Sequence, residues 1–194
     1  MKIKKTEFPG LVEIIPNQHA DSRGFFFEAY NQGLFYENYL PTKFVQDNES
    51  YSNEGVLRGL HFQKPPFAQG KLVRVILGRV LDVVVDLRKG SPTYLKSYST
   101  VLDSNQKKML YVPEGFAHGF LALSDVVFHY KCTGFYHKEA ECGIKWDDPE
   151  LDIDWYGDCH KHVSEKDQQL LSLGDAVEQI EASADSNGQF IFSQ

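Results

Sequence analysis

Residues 71–87 constrain the fold more than any other stretch. Val73, Val75 and Leu77 alternate with their neighbours up to Gly78-Arg79, and from Val80 to Leu87 an almost unbroken β-branched run follows. Alternation marks a strand with one buried face, and β-branched side chains suit a pleated surface. A glycine-led pair between two such runs predicts a hairpin. A second hairpin is predicted over 96–112 around Asp103-Ser104-Asn105, with further strands over 120–123 and 126–132. Short strands at close spacing, in a chain with 14 Phe and 10 Tyr, point to an all-β sandwich or barrel.

Helical periodicity is confined to the end of the chain. Leu170, Leu171, Leu173, Ala176, Val177 and Ile180 suit one amphipathic helix or two short ones, and the tail over about 183–194 is expected to fray. With 194 residues and no repeat or linker, residues 1–194 read as a single domain.

Charge and cysteine usage exclude several functions. A net charge of −7 argues against nucleic acid as a partner, which requires a basic face, although an anionic small ligand needs only a local positive pocket. No run approaches the roughly 20 apolar residues of a membrane span, and the first residues lack the apolar core of a signal peptide, so the expected address is cytoplasmic. Cys132, Cys142 and Cys159 are odd in number and show no C-x-x-C spacing; they read as reduced thiols.

Polar residues inside apolar strand patterns mark the candidate site. Val56-Leu57-Arg58-Gly59-Leu60-His61-Phe62-Gln63 holds an arginine and a histidine where packing wants neither. Simple alternation puts His61 on the face of Leu57, Gly59 and Gln63, and Arg58 on that of Val56 and Leu60. Polar groups on both faces suit a strand that lines a pocket or crosses a subunit interface. Lys71 opens the next strand, and Tyr130 points with Val126, Phe128 and Cys132. Taken singly, these would be a structural strand histidine, a solvated lysine and a core tyrosine. Ser164-Glu165-Lys166-Asp167 reads as a helix start, with Ser164 as N-cap and Asp167 three residues on. Neither G-x-x-x-x-G-K-[ST] nor G-x-G-x-x-G occurs, which speaks against an ATPase or a dinucleotide oxidoreductase.

Together these segments resemble the dTDP-4-dehydrorhamnose 3,5-epimerase family. V-L-R-G-L-H-F-Q, P-P-x-A-Q-G-K-L-V-R-V, V-D-L-R-K-G-S-P-T and G-I-K-W-D-D-P fall in that family's order, from about Phe8 to about Leu171. The resemblance implies a cupin-type jelly roll or β-barrel with short C-terminal helices, and a homodimer whose subunits exchange strands and share sites. It implies epimerisation at C3 and C5 of dTDP-4-dehydro-6-deoxy-D-glucose without a cofactor. His61 would be the base, Asp167 its partner, Lys71 the stabiliser of the enolate oxygen and Tyr130 the acid on the opposite face. Arg23, Arg58 and Lys166 match family positions that contact the nucleotide or its sugar; Glu28, Gln46, Asn48, His118 and Glu141 match further ligand positions. Phe25 and Tyr136 match the aromatic platforms for the base. No metal is expected, because the H-x-H pair of metal-binding cupins is missing at both His61 and His118. Phe62 replaces a tyrosine common in the family, and His137-Lys138 stands where it often has a small residue or proline. A single-site epimerase or ketoisomerase of another deoxysugar route and a non-catalytic sugar-nucleotide-binding module are the competing readings.

Overall fold

Gly78 carries the chain from one sheet into another. The computed structural model describes residues 1–156 and 161–182; Cys159 and the tail over 183–194, expected above to be a reduced thiol and a frayed end, lie outside them. The elements in chain order are β1 (Lys2–Lys5), β2 (Val12–Ile15), β3 (Gln18–Asp21), β4 (Gly24–Phe27), α1 (Gln32–Glu37), β5 (Gln46–Ser52), β6 (Val56–Gln63), β7 (Lys71–Leu77), β8 (Arg79–Asp86) and β9 (Ser97–Asp103). There follow β10 (Met109–Val112), β11 (Phe116–Ala122), β12 (Val126–Cys132), a 3-10 turn (Lys138–Ala140), β13 (Glu141–Gly143), β14 (His162–Val163), α2 (Glu165–Gln168) and α3 (Leu173–Ala182).

The strands expected around Gly78 form, but they do not pair with each other. The first sheet runs β1-β2-β10-β7-β12-β5 and the second β13-β6-β11-β8-β9, with β14 beside β6 and with β3-β4 as a separate ribbon. Thus β7 lies between β10 and β12, while β8 lies between β11 and β9. The second expected hairpin is also absent: β9 pairs with β8, and β10 with β2 and β7. One physical reason covers both corrections. From Val80 to Asp86, and throughout β10, the side chains are buried on both faces, so these are interior strands that need a neighbour on each edge. At Gly78, φ is +78° and an added Cβ would collide with the Asp125 carbonyl, so the turn position there is set by a distant loop.

Three apolar clusters order the layers. Val73, Val75, Val80, Val84, Phe116, Phe120 and Phe128 fill the space between the two sheets. Leu57, Leu60, Leu81, Val83 and Ile144 face outward from the second sheet, under Trp155 and the buried Leu173, Ala176 and Ile180 of α3. The first sheet's outer residues Val12, Ile14, Leu72, Met109 and Tyr111 are covered by Phe35 of α1 and by Leu40, with Tyr30 and Phe44 alongside. The central strands of each sheet are therefore covered on both sides, as near-continuous apolar sequence requires, while the edge strand β5 alternates between part-buried and exposed positions up to the buried Ser52. The C-terminal periodicity resolves into one amphipathic helix, α3, the first of the two forms expected; Leu170 and Leu171 precede it, and α2 is the separate short helix that Ser164 caps.

A buried carboxylate ties the sheets together. Glu13 of β2 accepts from Tyr98 and Thr100 of β9 and from Lys108, and pairs with Lys4 of β1. Burial alone would raise its pKa, but the hydrogen bonds from Lys4 and Lys108 outweigh this and hold it at about 2.

Candidate active site

A β-bulge decides which side chains enter the space between the sheets. His61 pairs with His118 and Arg58 with Phe120, so three steps along β6 match two along β11. The extra residue reverses the alternation. Leu57, Leu60 and Phe62 go to the outer cluster, whereas Arg58 and His61 stand opposite inward-facing residues of β11. Simple alternation had placed them on opposite faces, and the structure corrects this. Gly59 makes the bulge possible: its φ is +117° and an added Cβ would lie 2.6 Å from the Gly119 Cα.

The same bulge presents Gly59 N–H to Asp167. One carboxylate oxygen accepts that amide at 3.2 Å, and the other lies 2.8 Å from His61 Nε2. Asp167 is 4% exposed. Burial alone would raise its pKa; the hydrogen bond and charge of His61, the Gly59 amide and Lys166 outweigh that and hold it below the ordinary aspartate value. With Nε2 committed to Asp167, Nδ1 is the imidazole nitrogen left to exchange a proton. Ser164 Oγ also accepts the Asp167 backbone N–H at 3.1 Å. Capping and pairing with histidine coexist, because the backbone serves one and the side chain the other.

The first sheet supplies the facing groups. Tyr130 lies between Asn48 of β5 and Val73 of β7, on the inward face with Phe128. Burial raises its phenol above the ordinary pKa, so it is protonated at neutral pH. Lys71 lies opposite Cys132, with Nζ 5.9 Å from the Tyr130 ring centroid. Burial lowers its pKa, while Cys132, Asp82 and Glu141 pull the other way. No ion pair within 4.0 Å fixes this ammonium among the described residues, which leaves it available to a developing negative charge.

Around these groups the polar shell is ordered. Arg58 donates from Nε to Ser52 Oγ (2.9 Å) and from Nη2 to the Tyr51 carbonyl (3.2 Å). His118 Nε2 lies 3.0 and 3.1 Å from the two oxygens of Asp82. Gln46 donates to Asn48, whose amide nitrogen lies 3.6 Å from Cys132 Sγ. At the rim, Tyr136 Oη donates to Glu141 Oε2 (2.8 Å) and Lys166 Nζ to Glu141 Oε1 (2.7 Å). Sequence reasoning missed Asp82 and Ser52. Asp82 did leave a signal: an acid in the middle of a β-branched run, fully buried in the structure, must face a polar partner. Among the described residues, no group of three or more histidine, cysteine or carboxylate side chains is placed to hold a metal ion.

Three expected ligand residues stand apart. Arg23 is paired with Asp21 (2.6 Å) on the exposed β3-β4 ribbon, Phe25 packs under Lys107 Nζ (4.4 Å), and Glu28 accepts from Asn31. Gln18 donates to the Asn105 carbonyl, fixing the ribbon to the loop before β10. Lys71 pairs with Val112, at the other end of that strand. The partners of the three residues, Asp21, Lys107 and Asn31, are not pocket residues.

The fold is that of the cupin-like double-sheet class, and the protein is an isomerase by its kinship. The family model for dTDP-4-dehydrorhamnose 3,5-epimerase matches residues 5–175, and the chain belongs to that family. A relative from Methanothermobacter thermautotrophicus, a dTDP-4-dehydrorhamnose 3,5-epimerase, is 53% identical over 152 residues, covering 78% of this chain and 82% of that protein. The crystal structure of the enzyme of that name from Elizabethkingia anophelis NUHP1 is 48% identical, with a TM-score of 0.86 over 90% of this chain and 97% of the other. The dTDP-6-deoxy-D-glucose-3,5-epimerase of Legionella pneumophila, solved in complex with dTDP-4-keto-L-rhamnose, is 42% identical, with a TM-score of 0.86 over 93% of this chain and 95% of the other.

Proposed function

We propose that the protein inverts C3 and C5 of dTDP-4-dehydro-6-deoxy-D-glucose to give dTDP-4-dehydro-L-rhamnose. The observation that carries this reading is that the His61-Asp167 pair and Tyr130 belong to opposite sheets and both line the space between them, with Lys71 beside the phenol. His61 Nδ1 takes the proton from C3, and the electron pair moves to the C4 oxygen as an enolate. Lys71 stabilises that charge in a site poor in water, where such a contact is worth far more than in solution. Tyr130 delivers a proton to the opposite face, restoring the ketone; its phenolate is reprotonated from solvent and the imidazolium of His61 releases its proton. The same cycle at C5 completes the reaction, with no cofactor.

Arg58, Lys166 and His118 suit the pyrophosphate and the sugar, Gln46, Asn48 and Glu141 suit polar groups of the nucleotide, and Tyr136 offers a ring for stacking the base. Arg23, Phe25 and Glu28 enter from a second copy, whose β3-β4 ribbon reaches a pocket that its own chain cannot. The cytoplasm suits an enzyme whose buried Cys132 and Cys142 are both free thiols. Turnover in deuterated water tests the reaction. Two deuterons, at C3 and C5, are expected; one would indicate a single-site epimerase, and none a binding protein.

A further inference from the structure

We propose that Gln63 is a positioning residue for nucleotide recognition, holding the segment that presents Tyr136. The proposal rests on the reading of Tyr136 as the base platform. Residues 134–137 follow the end of β12 and have no strand beside them. Side-chain amides meet their backbone instead. Gln69 Nε2 donates to the Gly134 carbonyl (2.7 Å), Gln63 Nε2 to the Phe135 carbonyl (3.2 Å), and Gln63 Oε1 accepts the His137 N–H (2.6 Å). The Tyr136 N–H goes to Gln46 Oε1 (3.0 Å).

Gln63 does more than its neighbours. Its second amide hydrogen goes to the Phe67 carbonyl (2.7 Å), and the Phe67 ring stacks on His137 with centroids 3.7 Å apart and planes 12° from parallel. One side chain, 7% exposed, thus ties together the two loops that meet at the platform. Only an amide can fill this position, since it must donate twice and accept once; a carboxylate accepts but cannot donate. Gln63 lies two residues beyond His61 on β6, so the strand that carries the base also fixes the nucleotide end of the pocket. The Tyr136 hydroxyl is held by Glu141, so the ring is anchored at both ends while half of it stays exposed. An ordered platform binds without first having to be immobilised, which favours affinity.

The test is a double-mutant cycle on full-length protein, read by calorimetry with dTDP and by steady-state kinetics with the 4-keto sugar nucleotide. Gln63→Met keeps the length of the side chain and removes three hydrogen bonds. It should weaken dTDP about tenfold and raise KM in step, with kcat changed far less. In a Tyr136→Ala background that loss should largely vanish, because the platform it served is gone. Gln63→Glu, closest in shape, should weaken dTDP at least as much. Gln69→Met, which removes only the Gly134 contact, should give a smaller loss and serves if the Gln63 variants do not fold. Unchanged dTDP affinity, an equal loss with and without Tyr136, or a fall in kcat at constant KM would overturn the proposal. Wild-type protein that binds dTDP without turning over the sugar nucleotide would instead overturn the catalytic reading and leave the cycle intact.

Discussion

Asp167 serves three groups on two elements: the cap of α2, and on β6 both the bulge and the imidazole of His61. Its carboxyl is held below the ordinary aspartate value, so the stabilisation it provides is complete above about pH 4, the unfolded value, and is lost as the pH falls through the lower folded one. Asp167→Asn should flatten the acid limb of a stability-pH curve. It should also lower kcat by up to roughly 10⁴-fold, the scale seen when an aspartate that orients a catalytic histidine is amidated. Rates and pH profile equal to wild type would leave this residue with a structural role only. At this scale the sequence drew the eye where chemistry conflicted with packing, as at His61 and Arg58, whereas Lys71 was marked only by the family resemblance. Asp82 was passed over because the strand around it reads as core, and its partner His118 lies 36 positions away.

At the scale of elements, strands were legible and their partners were not. Regular alternation in β12 gave the face of Tyr130 correctly, because nothing interrupts that strand over Phe128–Cys132. In β6 the same rule misplaced Arg58 relative to His61, because a bulge is a relation between two strands and leaves only a glycine as its trace. The pairing of β7 and β8 was misread for a related reason. A local turn signal was overridden by the need of two interior strands for neighbours on both edges. Gly59→Ala tests the bulge. With a Cβ 2.6 Å from the Gly119 Cα and a positive φ, it should cost at least about 2 kcal/mol in chemical denaturation. Activity should fall with it, as the inward placement of Arg58 and His61 is lost. A variant as stable and as active as wild type would show that the register does not depend on this glycine.

At the scale of the whole molecule, the pocket of one chain holds the groups for proton transfer but lacks Arg23, Phe25 and Glu28, which sit at the other end of β10. The family resemblance had implied shared sites, but sequence order alone places these residues without saying which copy they would serve. The proposal that a second copy supplies these residues predicts complementation. Arg23→Ala and His61→Asn proteins, each inactive, should regain about a quarter of wild-type activity when mixed and allowed to exchange subunits, because half the dimers are mixed and each has one intact site. If each chain completes its own pocket, the mixture stays inactive.

On the proposed mechanism the imidazole hangs from one sheet and the phenol from the other, so the handedness of the product is written into the thickness of the sandwich. Here the separation of two packed layers, about 10 Å between backbones, sets the width of the slot in which a sugar ring is turned inside out. On that reading, a change in the spacing of the layers would act as a stereochemical mutation without touching any group that handles a proton.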